Sequence, residues 1–367
     1  MSLACAPVAV PAPIPAPAPQ ASPAIPAPLA PAVAPEDTAW AKVVEAAKME
    51  KSLTIYSMHF SGDIGQAMAK AFKEQYGIRM EILAAPGRQT VEKIKVEQTL
   101  KAPIADIIQT GASSATEVSI AGFLESVWRE LPAIRDKGVF KVDPVYSPSG
   151  DILTFSIQLI APYINYNLVK AQEEFSSFYD LLDPKWKGKI ITGDPRGGGG
   201  NMFAVFTIMR YYKGLDDGYF RRLAQQELII WGGSPAEEIR VVARGEYPVG
   251  FAGGNQTAAS IIAEGAPVKF LAMKEGTHST SQSIGVVKGA PHPNAARLFM
   301  NWIFSPEGQT AFAQSSSTSP LRLDVPDFLH PGARIKPIKI WASNWDSTEA
   351  GNKDQKSGII EQIFGKK

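Results

Sequence analysis

The 367-residue chain is poor in the residue types on which several large classes of protein depend. Its single cysteine, Cys5, cannot by itself form an internal disulfide, a cysteine-rich zinc site or an iron–sulfur cluster. Its four histidines, His59, His278, His292 and His330, are scattered, with no His-Glu-x-x-His spacing, and no Gly-x-Ser-x-Gly elbow occurs. No proline-free apolar run reaches the roughly 18 residues of a spanning helix. The 37 Lys and Arg balance 36 Asp and Glu, for a net charge of +1. That balance lacks the basic excess of a nucleic-acid binder, so no nucleic-acid partner is expected.

Charge is missing altogether from residues 1–35, which hold 11 of the 29 prolines. Proline at every second or third position fixes φ and removes backbone donors, so this segment is expected to be a disordered, semi-rigid, polyproline-like tether. Met1-Ser2-Leu3 has neither the basic start nor the apolar core of a signal peptide. The sequence Leu3-Ala4-Cys5 followed by a spacer resembles the mature start of a bacterial lipoprotein, with Met-Ser-Leu standing where a signal was removed. That resemblance implies lipidation at Cys5 and a membrane anchor.

What remains is long enough for two lobes with separate cores. A helix is expected through Trp40, Val43, Val44 and Ala47, capped by Asp37 or Thr38. Then come a strand at Leu53 to Tyr56, a helix through Ile64, Met68 and Phe72, and a strand at Ile78 to Leu83. A turn at Ala84 to Arg88, a helix from Thr90 and a strand at Ala105 to Ile108 follow. This alternation is an α/β parallel-sheet signature, and ligands in such sheets sit beyond the C-terminal strand ends. Those ends carry Ser57 and His59, Gly87-Arg88, and Gly111 to Ser114. Further on, Arg196 and the glycines through Gly199-Gly200 precede Asn201 and a helix, placing bare N–H groups at a positive dipole end.

Trp186-Lys187-Gly188-Lys189, the stretch Val242 to Phe251, Ala290 to Phe299, and Ser305-Pro306-Glu307-Gly308-Gln309 resemble the extracellular solute-binding proteins of ABC importers. The resemblance spans roughly Lys51 to Arg322, nearest the ferric-iron and small-anion branch. It implies an α/β, two-lobe type II periplasmic-binding-protein fold, with mixed sheets flanked by helices and two hinge crossings, near Leu153 to Asn165 and Thr277 to Val287. Lobe 1 would be residues 36–155 plus 281–335, lobe 2 residues 156–280, and 336–367 a C-terminal tail that is peripheral or wraps a lobe. The implied partners are a small-molecule ligand and the permease's transmembrane subunits. The chain would act as a monomer at the periplasmic or extracellular face.

Iron-binding members of the branch carry adjacent tyrosines after the strand matching Val249 to Phe251, because phenolates suit ferric ion. Here that place reads Ala252-Gly253-Gly254-Asn255-Gln256, and the pair Tyr211-Tyr212 ends a helix instead. The expected ligand is therefore a small anionic organic solute, with no cofactor and no metal site. Arg88 is the expected bidentate charged partner. Ser57, His59, Gly111 and Ser113 would contribute from lobe 1, and Arg196, Gly199, Gly200, Asn201, Gly253 and Asn255 from lobe 2. The alternatives are a ferric-iron carrier using a synergistic anion, or an enzyme or sensor module on the same fold. Neighbouring carboxylates such as Asp216-Asp217 and Glu237-Glu238 read as solvated helix faces, so no enzyme activity is expected.

Overall fold

A computed structural model describes residues 35–135, 138–143, 145–197, 201–343 and 345–366. The expected lipidation site Cys5, the tether before Pro35, and Gly199 and Gly200 lie outside the described residues. The chain opens with α1 (Pro35–Glu50), then β1 (Ser52–Ser57), α2 (Gly62–Tyr76), β2 (Arg79–Ala84), α3 (Gly87–Thr99), β3 (Ile107–Gly111), α4 (Ala112–Ile120) and β4 (Leu124–Glu125). A long strand, β5 (Leu153–Asn165), leads to β6 (Ile190–Gly193), α5 (Asn201–Tyr211), α6 (Asp217–Ala224), β7 (Ile229–Trp231), α7 (Pro235–Ala243), β8 (Val249–Gly254), α8 (Asn255–Ala263) and β9 (Val268–Phe270). The strand β10 (Thr277–Val287) precedes α9 (Pro293–Phe304) and α10 (Pro306–Ser316), and the chain closes with β11 (Ile340–Ala342), α11 (Trp345–Ser357) and α12 (Ile359–Phe364).

Eleven strands form one continuous mixed sheet, whose main path runs β2-β1-β3-β10-β5-β8-β6-β7. At one end β1 pairs in parallel with β2 and β3, and at the other β6 pairs in parallel with β7 and β8. In the middle β5 and β10 run antiparallel, from His278 opposite Ile160 to Ile284 opposite Leu153. These are the two crossings. The side chains of β5 show it: Leu153, Phe155 and Ile157 enter one apolar core, and Ile160 and Ile164 enter another. Burying apolar surface in separate cores on either side of the two strands stabilises each lobe in its own right.

The first core gathers Phe60, Phe72, Phe299 and Phe312 in edge-to-face contacts, with Trp302 tilted against Phe72. The helix α1 lies on α9 in this lobe. Its last residue, Glu50, accepts hydrogen bonds from the Asn294 and Ala295 N–H groups, satisfying free donors at the start of α9. The tail, expected to be peripheral or to wrap a lobe, packs into the second core. Trp341, Ile360 and Ile363 are buried there, and the Phe364 ring meets Phe206. No helix among the described residues is long and apolar enough to cross a membrane.

Candidate ligand-binding cleft

The end of β1 is shaped by its own side chains. Ser57 is fully buried, and its hydroxyl donates to Gln109 Oε1 at 2.6 Å while accepting from the N–H groups of His59 and Phe60. Gln109 Oε1 also accepts from the His59 N–H. The Gln109 amide nitrogen is therefore the donor to His59 Nδ1, 2.7 Å away, which leaves the ring proton on Nε2. Burial holds the His59 imidazole below the usual histidine range, partly offset by the Gln109 hydrogen bond. At neutral pH it is an uncharged N–H donor at the cleft.

Arg88 sits in the first turn of α3. The sequence reads that position as a turn with a helix beginning at Thr90, but the Gln89 and Thr90 N–H groups already bond to Pro86 O, so the helix begins at Gly87. No side chain caps the start of α3 or of α4, where Gly111 is the capping residue. The two starts touch at Gly87, where a Cβ would lie 2.5 Å from Thr110 Oγ1 and 3.0 Å from Ser114 Oγ, so only glycine fits. Two helix N-termini with free N–H groups thus meet beside one guanidinium, a setting that favours an anion.

These groups face a cavity of about 490 Å³. Lobe 1 supplies His59, Gly87, Arg88, Gly111 and Ser113 to its wall, and α5 supplies Asn201 and Phe203. The hinge adds Gln158 from β5 and Thr280 to Gln282 from β10, and α11 adds Thr348 and Asn352. Arg88 is the only Lys, Arg, Asp or Glu in this wall among the described residues, and it has no ion-pair partner there. A second cavity, of about 600 Å³ and lined by Tyr146, Tyr212 and Trp341, shares Ala112, Ser281 and Ser343 with the first. The Tyr212 hydroxyl donates to Ala342 O at 3.0 Å, and its ring packs against Trp341.

Of the residues named from sequence, the structure brings His59, Arg88, Gly111, Ser113 and Asn201 together at the cleft. Ser57 lies behind its wall, holding the β1 turn. Arg196 is paired with Asp194, Nε to Oδ1 at 2.7 Å, and also donates to Lys366 O. Gly253 lies against Tyr163, whose ring a Cβ would meet at 2.5 Å. Asn255 Oδ1 accepts from the Leu159 N–H, fastening α8 to the hinge strand. The sequence reading missed Gln158, Thr280 to Gln282 and the α11 residues. A signal for the hinge existed: Thr277 to Ser283 is an unbroken polar run inside a strand, and its Thr280 to Gln282 line the cavity.

The other histidines lie elsewhere. His278 is fully buried in β10, with its imidazole pushed down to about 3 by desolvation, and His292 is held by the buried Asp106 at 3.0 Å. No group of three His, Cys, Asp or Glu among the described residues could hold a metal ion.

Two α/β lobes, two crossing strands and a polar cavity between them define a two-lobe binding protein. The chain belongs to the bacterial extracellular solute-binding proteins, with residues 67–342 matching that family. It is similar to "Iron uptake protein A1" of Synechocystis sp., at 25% identity over 303 residues, covering 76% of this chain and 78% of that protein. It is also similar to a putative 2-aminoethylphosphonate-binding periplasmic protein of Salmonella typhi, at 26% identity over 318 residues, 81% of this chain and 88% of that protein. The fold matches the periplasmic binding protein AfuA of Actinobacillus pleuropneumoniae, solved with fructose-6-phosphate, with a TM-score of 0.61, 24% identity, and coverage of 85% of this chain and 97% of that one. The chain is the solute-binding component of a bacterial ABC importer.

Proposed function

We propose that this importer component captures a small organic anion, a phosphate ester, phosphonate or carboxylate, between its lobes and delivers it to the permease's transmembrane subunits. The observation that carries the reading is the unpaired Arg88 beside two uncapped helix starts, in a cavity wall with no carboxylate. A ferric ion held directly beside Arg88 is disfavoured, because the wall of that cavity offers one imidazole and neither carboxylate nor phenol among the described residues, Tyr146 and Tyr212 lining the adjoining cavity instead. The chain acts as a carrier, not an enzyme, and as a monomer. Ligand contacts made first on lobe 1 and then on lobe 2 drive hinge closure, and the closed form is what the permease recognises. Lipidation of Cys5 holds the receptor at the outer face of the membrane.

The test is titration calorimetry with citrate, 2-aminoethylphosphonate, fructose 6-phosphate and inorganic phosphate, paired with small-angle scattering. At least one anion should bind stoichiometrically without turnover and shrink the radius of gyration. Arg88→Ala should weaken it about tenfold or more, since a hydrogen bond to a charged group contributes about 1.5–3 kcal/mol. Unchanged affinity in Arg88→Ala removes the residue from the site, and turnover of the bound anion overturns the carrier reading.

A further inference from the structure

The segment after Ala342 lies beyond the family match, yet it is built into the site. The helix α11 runs between the lobes, touching α5 on one side and α4 on the other. Its attachment to lobe 2 is extensive. Arg210, on α5, forms ion pairs with Asp217 and with Asp354 of α11, and Gly351 lets the helix approach so closely that a Cβ would lie 3.3 Å from Thr207. The following helix places Ile360 and Ile363 in the lobe 2 core. Its seam with α4 is looser, a polar groove of about 460 Å³ with Ser113 and Glu117 on one bank and Asn352 and Gln355 on the other. Asn352 lines this groove and the cleft alike. The helix therefore belongs mechanically to lobe 2, while its polar side forms a wall facing the starts of α3 and α4.

We infer that α11 is a specificity-determining wall of the ligand site, with Thr348 and Asn352 bonding to an uncharged polar end of the ligand whose anionic end lies at Arg88. The inference rests on the cleft being the anion site proposed above. An amide and a hydroxyl can each donate and accept, so Thr348 and Asn352 suit a hydroxyl, amide or ester group, and α11 places no charged side chain in the wall of the Arg88 cavity, its Lys356 and Asp346 lining the neighbouring groove and cavity instead. The class of ligand is thus an organic anion with a neutral hydrogen-bonding body. A bare inorganic anion would be held by the Arg88 end alone.

Removing α11 and α12 would expose the lobe 2 core, so point variants of the full chain serve as the test. Asn352→Ala, Thr348→Val, Arg88→Ala and the control Lys353→Ala, whose ammonium pairs with Glu349 on the exposed face, are titrated with the same four anions. For the organic anion that wild type binds most tightly, Asn352→Ala and Thr348→Val should each raise Kd about fivefold, the equivalent of one hydrogen bond of about 1 kcal/mol. Phosphate binding should fall only in Arg88→Ala, and Lys353→Ala should match wild type throughout. Kd values within about twofold of wild type in both α11 variants, alongside a tenfold loss in Arg88→Ala, overturn the wall and leave the anion site standing. Failure of all four anions to bind wild type overturns the anion site, and the wall with it.

Discussion

Burial of Glu238 against Tyr163 raises its carboxyl from the ordinary 4.5 to about 7, although the Tyr163 hydroxyl, 3.0 Å away, and the Gly193 N–H favour the ionised form. Because the folded value lies above the unfolded one, the folded state holds an extra proton between those limits, and stability falls as pH rises through the window. Glu238→Gln keeps an acceptor for Tyr163 and removes the titration. Its stability relative to wild type should improve between about pH 5 and about pH 8 by up to the order of 2–3 kcal/mol, measured as denaturant midpoints at each pH. An offset that does not change with pH removes Glu238 as its source. From sequence this residue reads as half of a solvated Glu237-Glu238 pair, because a helix pattern shows which residues share a face but not which partner strand covers it. The cleft residues divide in the same way. Arg88, Gly111, Ser113 and His59 follow from topology, since loops after parallel strands converge on one edge. Ser57 and Asn255 have the same polar character, but their hydrogen-bonding atoms are taken up by Gln109 and Leu159, and such competition is decided only by packing.

Among the elements, α3 and α4 depend on each other through one missing side chain. A methyl group at position 87 would sit 2.5 Å from Thr110 Oγ1, so Gly87→Ala should push the two helix starts apart. We expect a stability loss of about 1–3 kcal/mol, typical of overpacking, and weaker anion binding because the donors no longer converge. Adding Thr110→Ala, which deletes the nearest clashing atom, should restore much of both in thermal melts and titrations. A single variant with wild-type affinity would show that the convergence is unimportant. Pro86-Gly87 also explains why the helix start was hidden: the pair reads as a turn, and proline at the cap with glycine behind it looks the same until the Pro86 carbonyl is seen accepting helical bonds. The helix α11 was hidden for a different reason. Its buried positions include Ser347 and Gly351, both small, and it has no apolar stripe, so periodicity offers nothing to find.

For the molecule as a whole, the alternation of strands and helices is legible because it rests on apolar periodicities, whereas the two crossings follow from the family resemblance, β10 being polar over Thr277 to Ser283. The join between lobes is less legible, since strand order in the single sheet is set by pairings among residues more than 100 positions apart. The proposed membrane anchoring turns on Cys5. When the chain is expressed behind a lipoprotein signal, Cys5→Ser should move it from the membrane pellet to the soluble fraction and abolish incorporation of labelled fatty acid. A pelleted, unlabelled wild type would assign retention to another cause. The docking of α1 on α9 also has a mechanical consequence. If the chain is anchored at Cys5 as proposed, tension would enter through α1, which packs on α9 in lobe 1, and so would reach the molecule on one side of the hinge. On the proposed anchoring, tether tension would not pass through the hinge, so a tethered copy and a free one should share the same balance between open and closed.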